Sequence, residues 1–459
     1  MIELRASEIA HIVGGDLHGE DVIVTSAPVI SSSDATVGSL FCAFIGEKVD
    51  GHTFVEDALS RGAVASLVTT SVAGPHIIVD NVTNALAALA QEVRTRLSHL
   101  QVVAITGSQG KTTTKELTQA VLATRFSVVA PRGNFNNEIG VPLTLLQCDT
   151  STDICVVEMG ARHLGDISHL VSIARPNIGA VLKVANAHVG EFGSIEKIAS
   201  AKSELIAGLE ENAIAIVGMY DSFTAQMREL HKGRTLTFGE VSSADIRAAD
   251  IEVREGRAHF DLVTPTGRNT VELRVVGLHN IGNALASAAI AHALGMSCDE
   301  IAAGLSMAES HAKWRMEIHE LPDLLIINDA YNASPDSMAA ALQSLRYFAQ
   351  ERGGESWAFV GPMRELGDGS LAEHARIGVL AQELGIDHLV AISEPAYGAS
   401  LHSNSSLTIH YCQSQDEALT LADHISPGDV ILCKASRSEK LEVLAESLEK
   451  MWIGKVENE

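Results

Sequence analysis

The sequence lacks several features that would place a chain in a special class. It has no run of about eighteen uninterrupted apolar residues, so no membrane-spanning helix is predicted. Its six cysteines are widely spaced and form no CxxC pair, which favours buried thiols in a reducing compartment. Low-complexity tracts and repeats of fixed period are also absent.

Positive charge is scarce as well. The chain has 33 Lys and Arg against 58 Asp and Glu, a formal net charge of −25 at pH 7. Such a negative field disfavours a general affinity for nucleic acid or for anionic membranes. Small anionic ligands are still compatible with it, because a few local cations are enough to hold them. We therefore expect small-molecule substrates, no nucleic-acid partner and no membrane insertion.

The rest of the composition is that of an ordinary globular protein. A length of 459 residues is enough for about three domains, and 46% apolar residues supply material for their cores. The opening stretch MIELRASEIA carries Glu3, Arg5 and Glu8, so it predicts no signal peptide. The expected location is the cytoplasm.

The order of apolar segments predicts an α/β fold. Short strands and a helix in the first eighty or so residues indicate a small α/β module. Continuous apolar strands then alternate with helices (VVAIT, DICVVEMG, IGAVLKV, AIAIVG), which is typical of a parallel sheet covered on both faces. Around residues 245–277 polar and apolar residues alternate, which predicts an antiparallel patch beside that sheet.

A further α/β cycle begins near Glu317, with the strands DLLIIND, WAFVG, HLVAIS and DVILCKA. It predicts a second doubly wound, Rossmann-like unit. The predicted fold is therefore three α/β domains, with limits at 1–83, 84–316 and 317–459. Sites are expected in the clefts between them.

The stretch AITGSQGKTTTKE, residues 104–116, predicts a phosphate-binding loop between the strand VVAIT and a helix. Backbone N–H groups would face phosphates, Lys111 would reach the terminal phosphates, and the Thr112 hydroxyl would hold Mg²⁺. Ile105 stands where the usual pattern has its first glycine, so the loop is compact. The alternative is an ordinary strand-to-helix turn, which the consecutive Gly-Lys-Thr-Thr disfavours. The predicted cradle comprises Gly107, Ser108, Gln109, Gly110, Lys111, Thr112 and Thr113.

A carboxylate for the metal is expected at the end of a neighbouring strand. Glu158 follows the apolar run of DICVVEMGAR and meets this requirement. Aspartate is more usual at such a position, and an acid that simply ends a strand is the alternative.

Eight stretches, in order, resemble the Mur ligases over essentially the whole chain: TGSQGKTTTKE, GNFNNEIGVPLTLL, VVEMGARHLGDI, NAHVGEFGS, AKSEL, GLHNIGNALAS, NDAYNASPDSM and GDVILCKASRSEKLE. Within that family, NFNNEIGVP and YNASPDSM indicate the activity that adds D-alanyl-D-alanine to UDP-N-acetylmuramoyl-tripeptide. The Asp-Asn-Pro-Arg motif of the diaminopimelate-adding members is absent.

The resemblance implies an ATP-dependent amide ligase of peptidoglycan precursor synthesis. ATP would phosphorylate the carboxylate of the nucleotide-linked peptide, and the amine of D-Ala-D-Ala would attack the acyl phosphate. The N-terminal domain would bind the UDP-sugar, the central domain ATP with two Mg²⁺ ions, and the C-terminal domain the dipeptide. A monomer is expected.

The resemblance also implies roles for individual residues. Lys111, Lys202 and His188 would be catalytic, with His188 at the second Mg²⁺ and Lys202 carbamylated so that it ligates metal. From residue chemistry alone, Mg²⁺ prefers oxygen ligands to a histidine nitrogen, and Lys202 is expected to be a surface lysine on a helix. The nucleotide would contact Asn283, Arg315 and Asp329. Substrate contacts would come from Lys48, Asn134, Asn136, Asn137, Tyr331, Asn332, Lys434 and Arg437.

Several of these residues have simpler alternatives, and the chain departs from the family in places. Asn283 is also suited to capping a helix, and Tyr331 and Asn332 to a strand-to-helix turn. Ser31–Ser33 replaces the usual Asp-Ser-Arg, and Trp314 replaces a glycine, which we expect to alter nucleotide packing. Three alternative functions stay open: another Mur-type ligase, a folylpolyglutamate-type ligase, and a P-loop regulator without ligase chemistry.

Overall fold

A computed structural model of the chain describes residues 1–46, 48–131, 133, 135–185, 189–309, 313–402 and 406–456. Two of the site predictions, Asn134 and His188, lie outside the described residues. Among the described helices, none combines the length and apolar character that a membrane crossing requires.

The N-terminal unit contains a small mixed sheet. The strands of this unit are β1 Leu4–Arg5, β2 Asp16–His18, β3 Ile23–Val24, β4 Leu40–Cys42, β5 Ala65–Val68 and β6 His76–Ile78, and β1 pairs with β3 in a separate two-stranded antiparallel sheet. Strands β4, β5 and β6 pair in parallel, and β2 joins β6 in antiparallel fashion. The helices are α1 Ala6–Val13 and α2 Val55–Ser60, and α3 Val82–Arg96 leads into the next sheet.

The central unit is a nine-stranded sheet. Its strands are β7 Gln101–Thr106, β8 Val128–Val129, β9 Ile154–Glu158, β10 Ile178–Val181, β11 Ile214–Gly218, β12 Arg234–Gly239, β13 Ile246–Arg254, β14 Arg257–Thr264 and β15 Gly267–Val276, in the order β15-β14-β13-β12-β11-β10-β7-β9-β8. Its helices are α4 Lys111–Leu122, α5 Gly140–Leu145, α6 Asp166–Ala174, α7 Val189–Phe192, α8 Ile195–Ala207, α9 Ser222–Gln226, α10 Asn280–Ala293 and α11 Cys298–Met307.

The predicted antiparallel patch is confirmed. Strands β13, β14 and β15 pair in antiparallel fashion. The patch also continues the main sheet directly, since β12 and β13 pair in parallel.

Strand β7 shows why the central strands read as unbroken apolar runs. Val102 and Ala104 point into one hydrophobic core, whereas Val103 and Ile105 point into the core on the opposite face. All four side chains are fully buried. The first of these cores also contains residues of α1 and α3, so the N-terminal unit shares a continuous core with the central sheet.

The C-terminal unit is a six-stranded sheet with the order β16-β17-β21-β18-β19-β20. Its strands are β16 Glu317–Leu321, β17 Leu324–Asn328, β18 Ser356–Val360, β19 His388–Ile392, β20 Thr408–Cys412 and β21 Val430–Lys434. Its helices are α12 Pro335–Arg352, α13 Ser370–Glu383, α14 Gln415–Leu419 and α15 Glu442–Val456. The last strand, β21, lies in the middle of the sheet and pairs in parallel with β17 on one side and β18 on the other.

Strand β16 was not predicted. It pairs with β17 in antiparallel fashion at the edge of the sheet, and its side chains are only partly buried. A half-buried edge strand lacks the continuous apolar run that identified β17, β18, β19 and β21. The three predicted domain limits stay a prediction, although each sheet lies within one of those segments.

The turn between β13 and β14 packs against the C-terminal unit. Gly256 has φ 68° there, and a Cβ added to it would lie 2.3 Å from the Phe348 ring of α12. The side chain of Val276, at the end of β15, belongs to the same hydrophobic core as Phe348. The central and C-terminal units therefore meet through apolar contact as well as across the cleft.

We predict that Gly256→Ala destabilises the protein more than Gly353→Ala does. Gly353 has a similar φ of 73°, but a Cβ there meets nothing within 4 Å. Both variants carry the left-handed backbone cost of about 1–2 kcal/mol. Only Gly256→Ala also overpacks the contact with Phe348, which adds about 1–3 kcal/mol. Urea denaturation of the two variants measures the difference, and equal losses would show that the turn does not pack tightly on α12.

Candidate active site

The predicted phosphate loop has the geometry of a cradle. It joins β7 to α4, and Gly110 precedes the helix with φ 82°. A Cβ at Gly110 would lie 2.2 Å from the Oδ1 of Asn283, so only glycine fits. The Nζ of Lys111 donates to the carbonyl of Gly107 at 2.8 Å. The loop is thus closed on itself at the start of a helix, where backbone N–H groups attract anions.

Thr112 and Glu158 meet beside this loop. Parallel pairing of β7 and β9 sets Ile105 beside Glu158, so both strands bring their carboxyl ends to the same edge. The Oγ1 of Thr112 donates to the Oε2 of Glu158 at 3.1 Å, and the Nδ2 of Asn136 donates to its Oε1 at 2.9 Å. A buried carboxylate and a hydroxyl are the hard oxygen ligands that Mg²⁺ prefers.

Lys202 on α8 carries an amine whose pKa is strongly lowered. Its side chain is buried, at 4% exposure. Burial, and next the charge of Lys111, lower the pKa of Lys202 to about 7, while Glu158, Glu204 and Asp166 act in the opposite direction. A substantial share of this amine is therefore uncharged near neutral pH, unlike an exposed lysine. Burial also lowers the pKa of Lys111.

Asn283 contacts the phosphate-loop helix rather than capping its own helix. The Oδ1 of Asn283 accepts a hydrogen bond from the Thr114 hydroxyl at 3.2 Å, and its Nδ2 donates to the Oδ1 of Asn280 at 2.8 Å. Asn280 in turn donates to the carbonyl of Val276. This buried network sets the start of α10 against α4, next to Gly110.

The facing wall belongs to the C-terminal unit. The Nζ of Lys434 donates to the Oδ2 of Asp329 at 2.6 Å and to the carbonyl of Asn332 at 2.8 Å. The other oxygen of Asp329 accepts from the backbone N–H of Met316 at 3.1 Å. The Arg315 guanidinium lies 3.9 Å above the centre of the Tyr331 ring. Lys434 therefore holds Asp329 and the loop that carries Asn332.

A cavity of about 2180 Å³ separates these two walls. Sixteen of the predicted residues line it: Ser108, Gln109, Gly110, Lys111, Thr112, Thr113, Asn136, Asn137, Glu158, Lys202, Asn283, Arg315, Asp329, Tyr331, Asn332 and Lys434. From the N-terminal unit, Ile30 reaches the lining, as do Thr83 and Asn84 of α3. Residues that are far apart in the sequence therefore line one cavity.

Two of the predicted substrate residues, Lys48 and Arg437, lie away from the cavity lining, and so does Trp314. Lys48 is exposed in the N-terminal unit. Arg437 lies 4.2 Å above the centre of the Trp314 ring and donates to Glu442 at 2.5 Å. Trp314, with φ 60°, packs partly buried against the C-terminal core and not in the cavity. The substrate roles of Lys48 and Arg437 stay predictions.

Several residues of the cavity were not predicted from the sequence. Lys183 follows β10, and Arg162 follows β9 beyond Glu158, so both lie at the same carboxyl edge as the phosphate loop. The rule that ligands bind at this edge would have found them. Ser334 was not predicted as a site residue, yet its hydroxyl contacts Gln109 of the phosphate loop.

We predict that Lys202→Met weakens the rise of stability with pH above neutrality. Between pH 7 and the ordinary value of 10.5, the unfolded state binds more protons at Lys202 than the folded state does. The free energy of unfolding therefore rises with pH in this window, by on the order of 4 kcal/mol from this group. Urea denaturation at pH 6 and pH 9.5, in buffers free of CO₂, measures the effect. Lys197→Met, an exposed position on the same helix, is the control, and parallel profiles for all three proteins would contradict the prediction.

Comparison with known proteins agrees with this geometry. The model described as Mur ligase middle domain matches residues 105–291, and the one described as Mur ligase, glutamate ligase domain matches residues 314–437. The UDP-N-acetylmuramoyl-tripeptide--D-alanyl-D-alanine ligase of Mycobacterium tuberculosis (strain ATCC 25618 / H37Rv) is 37% identical, with 98% of each chain covered. The enzyme of the same name from Escherichia coli (strain K12) is 35% identical, with 98% of this chain and 99% of the relative covered.

Solved structures match over the same length. MurF from Acinetobacter baumannii has a TM-score of 0.87 at 33% identity, covering 97% of this chain and 99% of that one. MurF ligase from Thermotoga maritima in complex with ADP has a TM-score of 0.80 at 31% identity, covering 93% and 99%. The apo form of L. casei FPGS has a TM-score of 0.59 at 15% identity over 79% of this chain and 94% of that one, which shows a shared fold alone. The chain therefore belongs to the Mur ligase family and, within it, to the ATP-dependent ligases that its full-length relatives represent.

Proposed function

We propose that the chain joins D-alanyl-D-alanine to UDP-N-acetylmuramoyl-tripeptide with conversion of ATP to ADP and phosphate, in peptidoglycan precursor synthesis. The observation that carries this proposal is a single cavity with a phosphate loop on one wall and the Asp329–Asn332 loop on the other. Relatives with that named activity align over 98% of the chain, which supports the same substrates here.

The chemistry explains why two walls are needed. A carboxylate is a poor acyl donor, and transfer of the γ-phosphoryl group converts it into an acyl phosphate with a good leaving group. The amine of the dipeptide then attacks the acyl carbon, and phosphate leaves as the amide bond forms. Two anions, the carboxylate and ATP, must first approach each other, so cations are required to offset their repulsion. Lys111 supplies one of these cations at the phosphate loop.

Mg²⁺ fits the residues around Glu158. A bound Mg²⁺ supplies charge neutralisation at the phosphates and the carboxylate. Glu158 and Thr112 would hold it, since Mg²⁺ uses few protein oxygens and completes its shell with phosphates and water. Asn136 orients the Glu158 carboxylate through its hydrogen bond. His188 would hold a second ion, as the family resemblance implies.

Lys202 is suited to carbamylation. A neutral amine adds to CO₂ to give a carbamate and releases one proton, and a pKa near 7 makes the neutral amine available. The carbamate would carry two anionic oxygens toward the metal, whereas an ammonium cannot ligate a cation. The nearby charge of Lys111, which disfavours the ammonium form, would stabilise the carbamate.

The remaining residues are assigned to ligands by their place on the cavity walls and by the family resemblance. Asn283, Arg315 and Asp329 would contact the nucleoside of ATP, and Tyr331 and Asn332 the dipeptide. The N-terminal unit would bind the UDP-sugar. Further substrate contacts would come from Lys48, Asn134, Asn136 and Asn137. Lys434 and Arg437 would face anionic groups of the substrates. The chain is also proposed to act as a monomer. Six free buried cysteines agree with the cytoplasm as the location.

We predict that phosphate release depends on both acceptor and amine. Purified protein with ATP and Mg²⁺ is assayed with UDP-N-acetylmuramoyl-tripeptide, with D-Ala-D-Ala, with both and with neither. Multiple turnovers are expected only with both, because the acyl phosphate is consumed only by the amine. A rate that is indifferent to D-Ala-D-Ala would point to another amine, or to a nucleotide-binding regulator.

We predict that Lys202→Ala loses activity about 100-fold or more and that short carboxylates such as acetate or formate partly restore it. The added carboxylate would replace the oxygens of the lost carbamate. Phosphate release with both substrates is measured against carboxylate concentration. Lys197→Ala should keep wild-type activity and show no response to acetate. Full activity of Lys202→Ala would disprove the carbamate.

A further inference from the structure

One side chain of the phosphate loop reaches across the cavity. The Nε2 of Gln109 donates to the Oγ of Ser334 at 2.9 Å, and both side chains are partly buried. This bond joins the loop that would hold the ATP phosphates to the residue that precedes α12 in the C-terminal unit.

The phosphate loop has no need of this side chain for its own shape. Lys111 closes the loop onto the Gly107 carbonyl, and the backbone N–H of Ser108 donates to the Lys183 carbonyl at 2.9 Å. The Ser108 hydroxyl donates to the Ala185 carbonyl at 3.1 Å. All of these contacts stay within the central unit. Phosphates are cradled by backbone N–H groups, so the Gln109 amide is available for another task.

Ser334 is set up to receive this hydrogen bond. Its hydroxyl donates to the Oγ of Ser337 at 3.1 Å, and the Ser337 hydroxyl donates to the Ser334 carbonyl at 3.0 Å. With its own proton engaged, the Ser334 oxygen has lone pairs left for the Gln109 N–H. Ser334 directly follows Tyr331, Asn332 and Ala333, so its position fixes the end of that loop.

Other contacts hold the two units together without Gln109. The backbone N–H of Gly190 donates to the Glu365 carbonyl at 2.9 Å. Phe348 of α12 packs against Gly256. Loss of the Gln109–Ser334 bond therefore frees the Ser334 end of the loop 331–334 from the phosphate loop, while Lys434 still holds the Asn332 carbonyl and the C-terminal unit stays docked.

We propose that Gln109 is a positioning residue for the amine substrate, which sets the loop 331–334 at a defined distance from the phosphate loop. The carboxylate is activated at the phosphate loop, and the dipeptide is held by the facing loop. A direct bond between the loops aligns the attacking nitrogen with the acyl carbon, and such alignment governs rate strongly. This inference rests on the function proposed above.

The test compares Gln109→Ala, Gln109→Asn and Gln119→Ala. Asparagine keeps the amide but is one methylene shorter, so it does not span the cavity. Gln119 lies in the last turn of α4, outside the cavity lining, and is the matched control. Wild-type protein must first release phosphate in a D-Ala-D-Ala-dependent manner, which separates failure of the proposed function from failure of this inference.

Both Gln109 variants are expected to raise the KM for D-Ala-D-Ala, or lower kcat/KM for it, by about five-fold, the effect of one neutral hydrogen bond. The Kd for ATP and the thermal midpoint should stay at their wild-type values, and Gln119→Ala should change nothing. In a double-mutant cycle, Gln109→Ala combined with Ser334→Ala should be no worse than Ser334→Ala alone.

Two results would overturn the inference. If Gln109→Ala raises the Kd for ATP as much as the KM for the dipeptide, the side chain serves the nucleotide or general closure. If the effects of Gln109→Ala and Ser334→Ala are additive, the two side chains act independently.

Discussion

The parallel pairing of β7 with β9 is the constraint on which the site depends. Its register sets Ile105 beside Glu158, so one strand runs into the phosphate loop where its neighbour ends on a carboxylate. The hydrogen bond from Thr112 to Glu158 follows from this register. Because β7 is buried on both faces, a slip by one residue would exchange the side chains of the two cores. The packing of two cores therefore holds Glu158, the proposed Mg²⁺ ligand, in place.

The two walls of the cavity differ in their balance of charge. On the phosphate-loop wall, burial lowers the pKa of Lys111 and Lys202, and it also lowers the pKa of Lys115, which follows Lys111 on α4. The ammonium of Lys115 bonds to backbone carbonyls of Pro131 and Gly133. An anionic ligand would offset the desolvation of the Lys111 and Lys115 ammonium groups. On the facing wall, by contrast, Lys434 and Asp329 form a direct pair. A polyphosphate suits the first wall, and a neutral or zwitterionic group suits the second.

The sequence predicted some elements well because their signals are local. The phosphate loop needs a strand, two glycines and Lys-Thr in succession, and all lie within one short segment. The antiparallel patch was visible as an alternating pattern, and its strands are β13 to β15. Strand β16 was not predicted, because an edge strand with half-buried side chains has no distinctive pattern of apolar residues. Arg437 was identified by its motif, but its packing over Trp314 depends on a junction whose left-handed backbone is set by tertiary contacts.

The sequence by itself determined the fold class, the phosphate loop and the acid at the end of a neighbouring strand. It did so because periodicity and turn chemistry act over a few residues. Only the tertiary structure decided what lies across the cleft. Lys434 and Asp329 are 105 residues apart in the chain, and their pairing, like the contact of Gln109 with Ser334, results from how the sheets dock. The near-neutral pKa of Lys202 likewise requires burial beside Lys111, which no local pattern encodes.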